Sequence, residues 1–390
     1  MPNPRAHAES MRLLHTGDWH IGKRLYGNDR LDETQRVLSE VAQLARDEGV
    51  DAILVAGDNL DRRLVEPAVL ATCLGALEEL AAVAPVVAVT GNHEDPLFWA
   101  QIAPYLAPRI RLAAADAVFP VDTRAGRLYV GCLPWPQPAE VASDPGIDRT
   151  SSRGEYAAYA RGRIDALGAD LRSRRREGGG VAVLLGHLMV SRGVAGGGER
   201  ELTLGGTYAV DGGALPIDLD YVALGHLHRP QPLPGFTGLG RYAGSPMALD
   251  FSGDGTTPSV AVIDITSAGA KAREIPLSAG RRLVRLRGSL DELEFLASQH
   301  PGAWFFCEVV VEQIRLDLVR HVCERIPDVL RVEPITPAGS DQVDSDVDQP
   351  GQRDLGDVYT EWLERSGRGR DERLVAAFRA ALAHAEGRPS

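Results

Sequence analysis

The sequence predicts an α/β protein with a central sheet and helices packed outside it. From Arg12 onward, short apolar runs alternate with segments of helical spacing, and this alternation is typical of βαβ units. Near residue 280 the pattern changes to a strand–helix–strand–helix–strand succession, which indicates a small separate α+β module. Residues 336–352 are rich in Pro, Gly, Ser and Asp, a composition typical of linkers.

The elements of the first part follow from the spacing of their apolar residues. In the segment 31–49 these residues recur at helical spacing and Gly49 ends the run. The segment 67–83 has a proline at its start, where helices accept one. The run 51–56 is almost wholly apolar, which favours a buried strand. Strands are predicted at 12–16, 51–56, 85–90, 128–132, 181–185, 221–224 and 259–265, and helices at 31–49, 67–83 and 161–176.

Five regions are expected along the 390 residues, a length that allows two or three domains. Beyond the linker, Leu355, Val358, Tyr359 and Trp362 fall at helical spacing, which predicts short amphipathic helices. The regions are an N-terminal extension (1–10), the main domain (11–280), the small module (281–335), the acidic linker (336–352) and C-terminal helices (353–390).

Composition excludes several classes of protein. No apolar run approaches the roughly 20 residues that a membrane helix needs, and residues 1–10 contain no apolar core of a secretory signal. The four cysteines are scattered without a CxxC pair, as expected for reduced thiols in a cytoplasmic protein.

The formal net charge of −12 argues against binding nucleic acid through bulk positive charge. If the chain handles DNA, metal ions or local basic patches must attract the phosphates. The cluster Arg172–Arg176 is one such patch, and it could contact DNA or simply form a solvated helix end.

Polar side chains with metal-ligating chemistry follow five apolar runs. The pieces are Asp18-Trp19-His20, Gly57-Asp58, Gly91-Asn92-His93, Gly186-His187 and Gly225-His226-Leu227-His228. Glycine permits a tight turn where a strand ends, and open α/β sheets bind ligands at the carboxyl edge of their strands. We therefore expect these side chains to meet at one edge.

The donor types indicate the kind of site. Carboxylates, imidazoles and one amide, without thiolate, suit manganese, iron or zinc and disfavour a structural zinc site. Two such ions can bind a phosphate between them and activate water. Each piece alone is ambiguous, because a lone Gly-His is more often a core histidine and Asn92 suits a turn. Together, in this order, they predict a metal centre. The five histidines outside these pieces are interpreted as structural or surface residues (His7, His15, His300, His321 and His384).

The ordered set D-x-H, G-D, G-N-H, G-H and G-H-x-H resembles the signatures of the calcineurin-like metallophosphoesterases over residues 11 to about 265. The resemblance implies that His93 is the catalytic histidine, which orients the scissile phosphate and assists the leaving oxygen. It implies two metal sites that share Asp58 as a bridge: Asp18, His20, Asp58 and His228 for the first, and Asp58, Asn92, His187 and His226 for the second.

Longer strings are similar to the nuclease subunits of bacterial SbcCD complexes, the counterparts of the eukaryotic and archaeal double-strand-break repair nuclease. They include HTGDWHIGKRLYG (15–27), GNHEDP (91–96), DYVALGHLHRPQ (220–231) and YAGSPMALDF (242–251). This resemblance implies a four-layer sandwich, with two central mixed sheets flanked by helices, and a capping domain at 281–335. It implies a 3′→5′ double-strand exonuclease and single-strand or hairpin endonuclease that uses two divalent ions, expected to be manganese.

The same resemblance implies partners. The helices at 353–390 would bind an SbcC-type coiled-coil ATPase, and two copies of the chain would form a homodimer within a heterotetramer. The complex would act on DNA ends and hairpins in repair, replication and recombination.

The sequence also leaves alternatives open. The chain could be another calcineurin-like phosphodiesterase or phosphatase, acting on nucleotides or phosphoproteins. The helices at 353–390 could pack on their own chain, and the module could serve packing or dimerisation. Two departures from the family pattern, Glu94 after Asn-His and Asn59-Leu60 after Gly-Asp, lie outside the ligand set.

Overall fold

The computed structural model describes residues 10–137, 152–199, 208–252, 256–313 and 317–336, and also residues 360, 373–375 and 377–378. Most of the predicted N-terminal extension, nearly all of the linker at 336–352 and most of the helices at 353–390 lie outside the described residues. Within 353–390, the described positions are helical.

The strands and helices are numbered here in chain order. The strands are β1 (Ser10–Thr16), β2 (Ala52–Val55), β3 (Val86–Val89), β4 (Ile110–Ala113), β5 (Ala117–Thr123), β6 (Gly126–Leu133), β7 (Val181–His187), β8 (Met189–Val190), β9 (Ala209–Val210), β10 (Tyr221–Gly225), β11 (Gln231–Pro232), β12 (Gly240–Tyr242), β13 (Ser259–Thr266), β14 (Gly269–Pro276), β15 (Leu283–Gly288), β16 (Trp304–Val310) and β17 (Val329–Ile335). The α-helices are α1 (Leu31–Asp47), α2 (Pro67–Val83), α3 (Pro96–Ile102), α4 (Ser152–Gly178), α5 (Leu290–Ser298) and α6 (Leu318–Arg325).

The first sheet has six strands in the order β14-β13-β1-β2-β3-β4. Strands β1 to β4 are parallel. At one side β13 pairs antiparallel with β1, and β14 pairs antiparallel with β13. Successive residues of the parallel strands are buried on opposite faces, Leu14 and Ile53 on one and Leu13 and Ala52 on the other. Burial on both faces explains why these strands are almost wholly apolar in sequence.

The second sheet also has six strands, in the order β11-β12-β10-β7-β6-β5. Strands β12, β10, β7 and β6 are parallel, and β11 and β5 are antiparallel edge strands. One face, which includes Val130 and Val183, shares an apolar core with Leu13 and Leu54 of the first sheet. The two sheets therefore pack face to face.

Helices cover the outer face of each sheet. Apolar residues of α1, α2 and α3, such as Val41, Leu77 and Trp99, share a core with the first sheet. Residues of α4, such as Ile164 and Leu171, share a core with the second. The result is a helix–sheet–sheet–helix sandwich with two mixed sheets, which confirms the four-layer fold expected from the resemblance.

Several elements differ from the sequence-based expectation. Helix α4 begins at Ser152 instead of residue 161, because its buried stripe extends back to Tyr156 and Ala160. Seven strands and one helix of the main domain were not predicted: β4, β5, β8, β9, β11, β12, β14 and α3. In β14 most residues are exposed or half-buried, so its sequence is not apolar enough to identify it as a strand.

The module after residue 280 has the expected order of strand, helix, strand, helix, strand, and its strands form a sheet in the order β15-β16-β17. Two of its aromatic side chains pack against the main domain. This small apolar cluster contains Leu25, Phe251, Trp304 and Phe306. The guanidinium group of Arg281 lies over the Trp304 ring, 4.9 Å from its centre.

The chain divides into two compact units. One contains residues 1–309 and 316–333, and the other contains residues 310–315 and 334–390. Most of the module thus belongs to the same unit as the main domain. None of the described helices combines the length and apolar character that crossing a bilayer requires.

Candidate metal centre

The side chains predicted as metal ligands lie where parallel strands of both sheets end. Asp18 and His20 follow β1, Asp58 follows β2, and Asn92 and His93 follow β3. His187 ends β7 of the second sheet, and His226 and His228 follow β10. Because the sheets pack face to face, all eight side chains converge in one buried cluster, and each is at most 8% exposed.

Several site residues have a backbone conformation that non-glycine residues rarely adopt. The φ angle is 51° at Asp18, 45° at His20, 49° at Asp58 and 108° at His226. Such left-handed conformations cost roughly 1–3 kcal/mol each and persist only where the surroundings impose them. The strand ends are therefore bent so that these side chains point into the cluster.

One group of potential ligands consists of Asp18, His20 and His228, whose donor atoms lie within 4.8 Å of one another. The Nε2 atoms of His20 and His228 are 3.0 Å apart. The His228 Nδ1–H donates to the carbonyl oxygen of Gly197 at 2.6 Å, which leaves the Nε2 lone pair directed at His20. Two buried nitrogens that face each other in this way are suited to share a cation.

A second group surrounds Asn92 and Asp58. The Asn92 Oδ1 lies 3.0 Å from His187 Nε2 and 3.1 Å from His226 Nδ1. His187 Nε2 also lies 3.4 Å from Asp58 Oδ2, and its Nδ1–H donates to the Ala56 carbonyl at 2.7 Å. Among the described residues, the buried Nε2 of His226 has no hydrogen-bond partner. The oxygens of Asn92 and Asp58 and the nitrogens of two imidazoles thus lie within reach of one another, a donor set that suits a metal ion.

His93 lies between the two groups. Its backbone N–H donates to Asp58 Oδ1 at 2.9 Å, and its Nδ1–H donates to the Asp61 carbonyl at 2.7 Å. Its Nε2 is 3.9 Å from Asp58 Oδ2. The donor atoms of His93, His20 and Asp58 also lie within 4.8 Å of one another, close enough to bind one ion. The fixed Nδ1 leaves Nε2 facing the cluster.

Burial and the charges of neighbouring groups together shift the pKa values in the metal-free cluster. It raises the pKa of Asp18 to about 6 and lowers the pKa of His20 to about 3. Burial would also raise the pKa of Asp58, but the charge of His187 outweighs it and holds that pKa well below its usual value. For His187, burial is outweighed by Asp58, and its pKa rises to about 9.

At pH 7 these pKa shifts leave both carboxylates ionised and His20 unprotonated. Placing a divalent cation among Asp18, Asp58 and the imidazoles would balance the carboxylate charge and use the unprotonated nitrogens. The donor chemistry and the burial both fit a metal ion.

The sequence analysis missed residues that contact the ligands. Asp61 accepts from His93 through its backbone, and its carboxylate is 3.4 Å from His20 Nδ1. The Trp135 ring stacks on His226 with centroids 4.9 Å apart. Asp61 could have been suspected, since it is the second acid within GDNLD, whereas nothing in the sequence near Trp135 marks it.

The two departures from the family pattern contact each other. The Asn59 side-chain amide donates to the Glu94 carboxylate at 3.1 Å, and that carboxylate also accepts the Gly91 N–H at 2.8 Å. Both residues are fully buried. The Glu94 side chain therefore links the turn after β3 to Asn59, which follows β2.

Comparison with known proteins places this geometry in a family. The model of the calcineurin-like phosphoesterase family matches residues 11–230, a range that contains all eight site residues. The SbcD component of the SbcCD nuclease of Bacillus subtilis is 34% identical over 83% of this chain and 86% of its own length. The chain belongs to the SbcD nucleases of the calcineurin-like phosphoesterase family.

Other SbcD proteins are similar at greater distance. That of Rhodobacter capsulatus is 33% identical over 74% of this chain and 75% of its own length. That of Escherichia coli K12 is 25% identical over 80% of this chain and 81% of its own length. Membership of this family makes the chain a phosphodiester hydrolase, and its signature residues are those that converge in the metal centre.

Proposed function

We propose that the chain cleaves DNA with two bound divalent ions, and that manganese is the ion used. The observation that carries this proposal is the buried convergence of carboxylates, imidazoles and one amide from five strand ends. Oxygen and imidazole donors without thiolate suit manganese and iron better than a structural zinc ion.

Two sets of ligands are proposed. Asp18, His20, Asp58 and His228 would hold the first ion, and Asp58, Asn92, His187 and His226 would hold the second. The 3.0 Å approach of the His20 and His228 Nε2 atoms supports the first set, and the contacts of Asn92 Oδ1 with both histidines support the second. When bound, such ions neutralise phosphate charge and lower the pKa of water.

His93 is proposed as the catalytic histidine. Because its Nδ1–H is held by the Asp61 carbonyl, its Nε2 is the atom that can meet a substrate phosphate. In the protonated ring, Nε2–H would donate to the phosphate and then deliver its proton to the leaving 3′-oxygen. Asp61 and the Asp58 carboxylate, which accepts the His93 backbone N–H, keep the ring in place for this transfer.

The proposed substrates are DNA ends and hairpins, cut as a 3′→5′ exonuclease and a single-strand or hairpin endonuclease. Because the chain has a net charge of −12, we expect the bound metal ions to attract the DNA phosphates. The cluster Arg172–Arg176 contributes little, because Arg172, Arg174 and Arg175 form ion pairs with Asp218, Asp170 and Asp220. A solvated helix end therefore describes this cluster better than a DNA contact.

The proposed assembly follows the SbcCD relatives. Residues 353–390 would bind a coiled-coil ATPase of the SbcC type, with 336–352 as a linker, and 281–335 would act as a capping domain. Two chains would pair through helices of the main domain. Leu97 and Tyr105, which are 78% and 88% exposed, support an apolar contact near α3.

A nuclease assay with manganese tests the proposal. A fluorescent DNA hairpin and a small chromogenic phosphodiester are incubated with the chain, with and without the ATPase partner. Manganese-dependent cutting of the hairpin, increased by the partner, is expected. Hydrolysis of the small diester without any cutting of DNA would instead indicate another phosphodiesterase.

A further inference from the structure

The loop 196–199 packs against the ligand segment that follows β10. Gly196 lies so close to this segment that a Cβ atom there would be 2.3 Å from the Arg229 backbone nitrogen. The neighbouring Gly197 has a φ angle of 100°, which other residues rarely adopt. The loop ends at Glu199, whose side chain is 1% exposed.

The Glu199 carboxylate accepts three backbone N–H groups. Oε1 accepts those of Gly196 at 2.7 Å and His228 at 2.9 Å, and Oε2 accepts that of Gly197 at 2.8 Å. No lysine or arginine among the described residues forms an ion pair with it. A buried carboxylate that is satisfied by backbone donors joins the segments that carry them.

This junction determines the orientation of one imidazole. The carbonyl oxygen of Gly197 accepts the Nδ1–H of His228 at 2.6 Å, so the loop fixes both the ring and its tautomer. The His228 Nε2 is thereby left unprotonated and directed at His20 Nε2, 3.0 Å away. Outer partners of a ligating histidine commonly set its tautomer and direction in this way.

We infer that Glu199 is the positioning residue of the first metal ion, acting through the Gly197 carbonyl and the His228 backbone. The inference rests on the ligand sets proposed above. Glu199 belongs to neither proposed ligand set. Its loss should weaken one of two metal sites, since no hydrogen bond or ion pair in the described part of the chain joins the second ligand set to the 196–199 loop.

Manganese titration of the metal-free full-length chain tests the inference. In Glu199→Gln the shape is kept, but one oxygen becomes an NH₂ group that cannot accept a backbone N–H. We expect one manganese ion to bind as in the wild type and the other to bind about 10–100-fold more weakly. Two unchanged sites, or an equal loss at both, would overturn the inference.

A double variant shows whether Glu199 acts through His228. His228→Gln should weaken the same site, and His228→Gln/Glu199→Gln should bind no more weakly than His228→Gln alone, because coupled residues are not additive. Additive losses would contradict a role through His228.

A matched control is Glu33→Gln. Glu33 is also buried, but it accepts hydrogen bonds from Arg30 and from the Arg281 backbone N–H, away from the cluster. This variant should lose thermal stability while both manganese affinities stay unchanged. A wild-type chain that binds no manganese would refute the proposed ligand sets themselves, whereas normal wild-type binding with an unaltered Glu199→Gln titration would refute the role of Glu199 alone.

Discussion

Three histidine side chains of the candidate metal centre are held in place by hydrogen bonds from their Nδ1 atoms. His187, His93 and His228 each donate from Nδ1 to a backbone carbonyl, of Ala56, Asp61 and Gly197 respectively. In each ring this leaves Nε2 directed into the cluster. The backbone carbonyls thus fix the orientation of the three rings, as the proposed roles of these histidines require.

Replacing His93 should separate catalysis from metal binding. His93→Gln removes the proposed proton donor but none of the proposed ligands, so hairpin cleavage should fall by about 10²–10⁴-fold. Manganese binding, followed by calorimetry on the same variant, should keep two ions. Full nuclease activity in this variant would show that the role assigned to His93 is wrong.

His15 should make stability depend on pH. It is fully buried, its Nδ1 lies 3.0 Å from the Tyr221 hydroxyl, and burial lowers its pKa to about 3. Because the unfolded chain takes up a proton near pH 6.5 and the folded chain does not, His15 favours unfolding progressively as the pH falls below about 6.5. Between pH 7 and pH 5 the loss should be roughly 2 kcal/mol.

Urea unfolding in EDTA at several pH values measures this effect. His15→Gln cannot titrate, so its free energy of unfolding should fall less steeply from pH 7 to pH 5 than that of the wild type. His321→Gln, at an exposed position of α6, is the control and should follow the wild-type curve. Parallel curves for wild type and His15→Gln would contradict the account.

Among the elements, the glycine turns after β2 and β3 bring the ligands together. A Cβ atom on Gly91 would lie 2.1 Å from the Asp58 carboxylate oxygen, and one on Gly57 would lie 2.6 Å from His187 Nδ1. A side chain at Gly91 would therefore collide with the turn after β2, and a side chain at Gly57 would collide with His187 at the end of β7.

Gly91→Ala should displace Asp58 from the cluster. Manganese affinity is expected to fall by at least about 10–100-fold, as measured by titration of the metal-free protein. Gly75→Ala in the middle of α2 is the matched control, since a Cβ there meets no atom within 4 Å. It should raise stability by about 0.5–1 kcal/mol and leave metal binding unchanged. Equal metal affinities for the two variants would contradict the role of the turn.

The sequence predicted those strands and ligands that can be recognised from their own residues and immediate neighbours. Buried parallel strands are apolar throughout, and a ligand such as Asp58 directly follows one. Strand β14 escaped prediction because it lies at an edge and is mostly exposed. Glu199 was given no role because it acts through backbone groups of Gly197 and His228, and sequence does not reveal which N–H groups a carboxylate will meet.

In the molecule as a whole, the centre exists because two sheets pack face to face with their parallel strands ending at one edge. The first sheet supplies Asp18, His20, Asp58 and Asn92, and the second supplies the histidines after β7 and β10. Neither sheet alone provides either proposed ligand set. The metal centre therefore depends on the whole sandwich, and metal binding should stabilise the packing of one sheet on the other.

Anomalous diffraction at the manganese edge, from crystals soaked in manganese, tests this account most directly. Two peaks are expected, about 3.5–4 Å apart, with Asp58 between them and His228 and His226 on opposite ions. Dispersed ligand side chains, or no peak among them, would contradict the account.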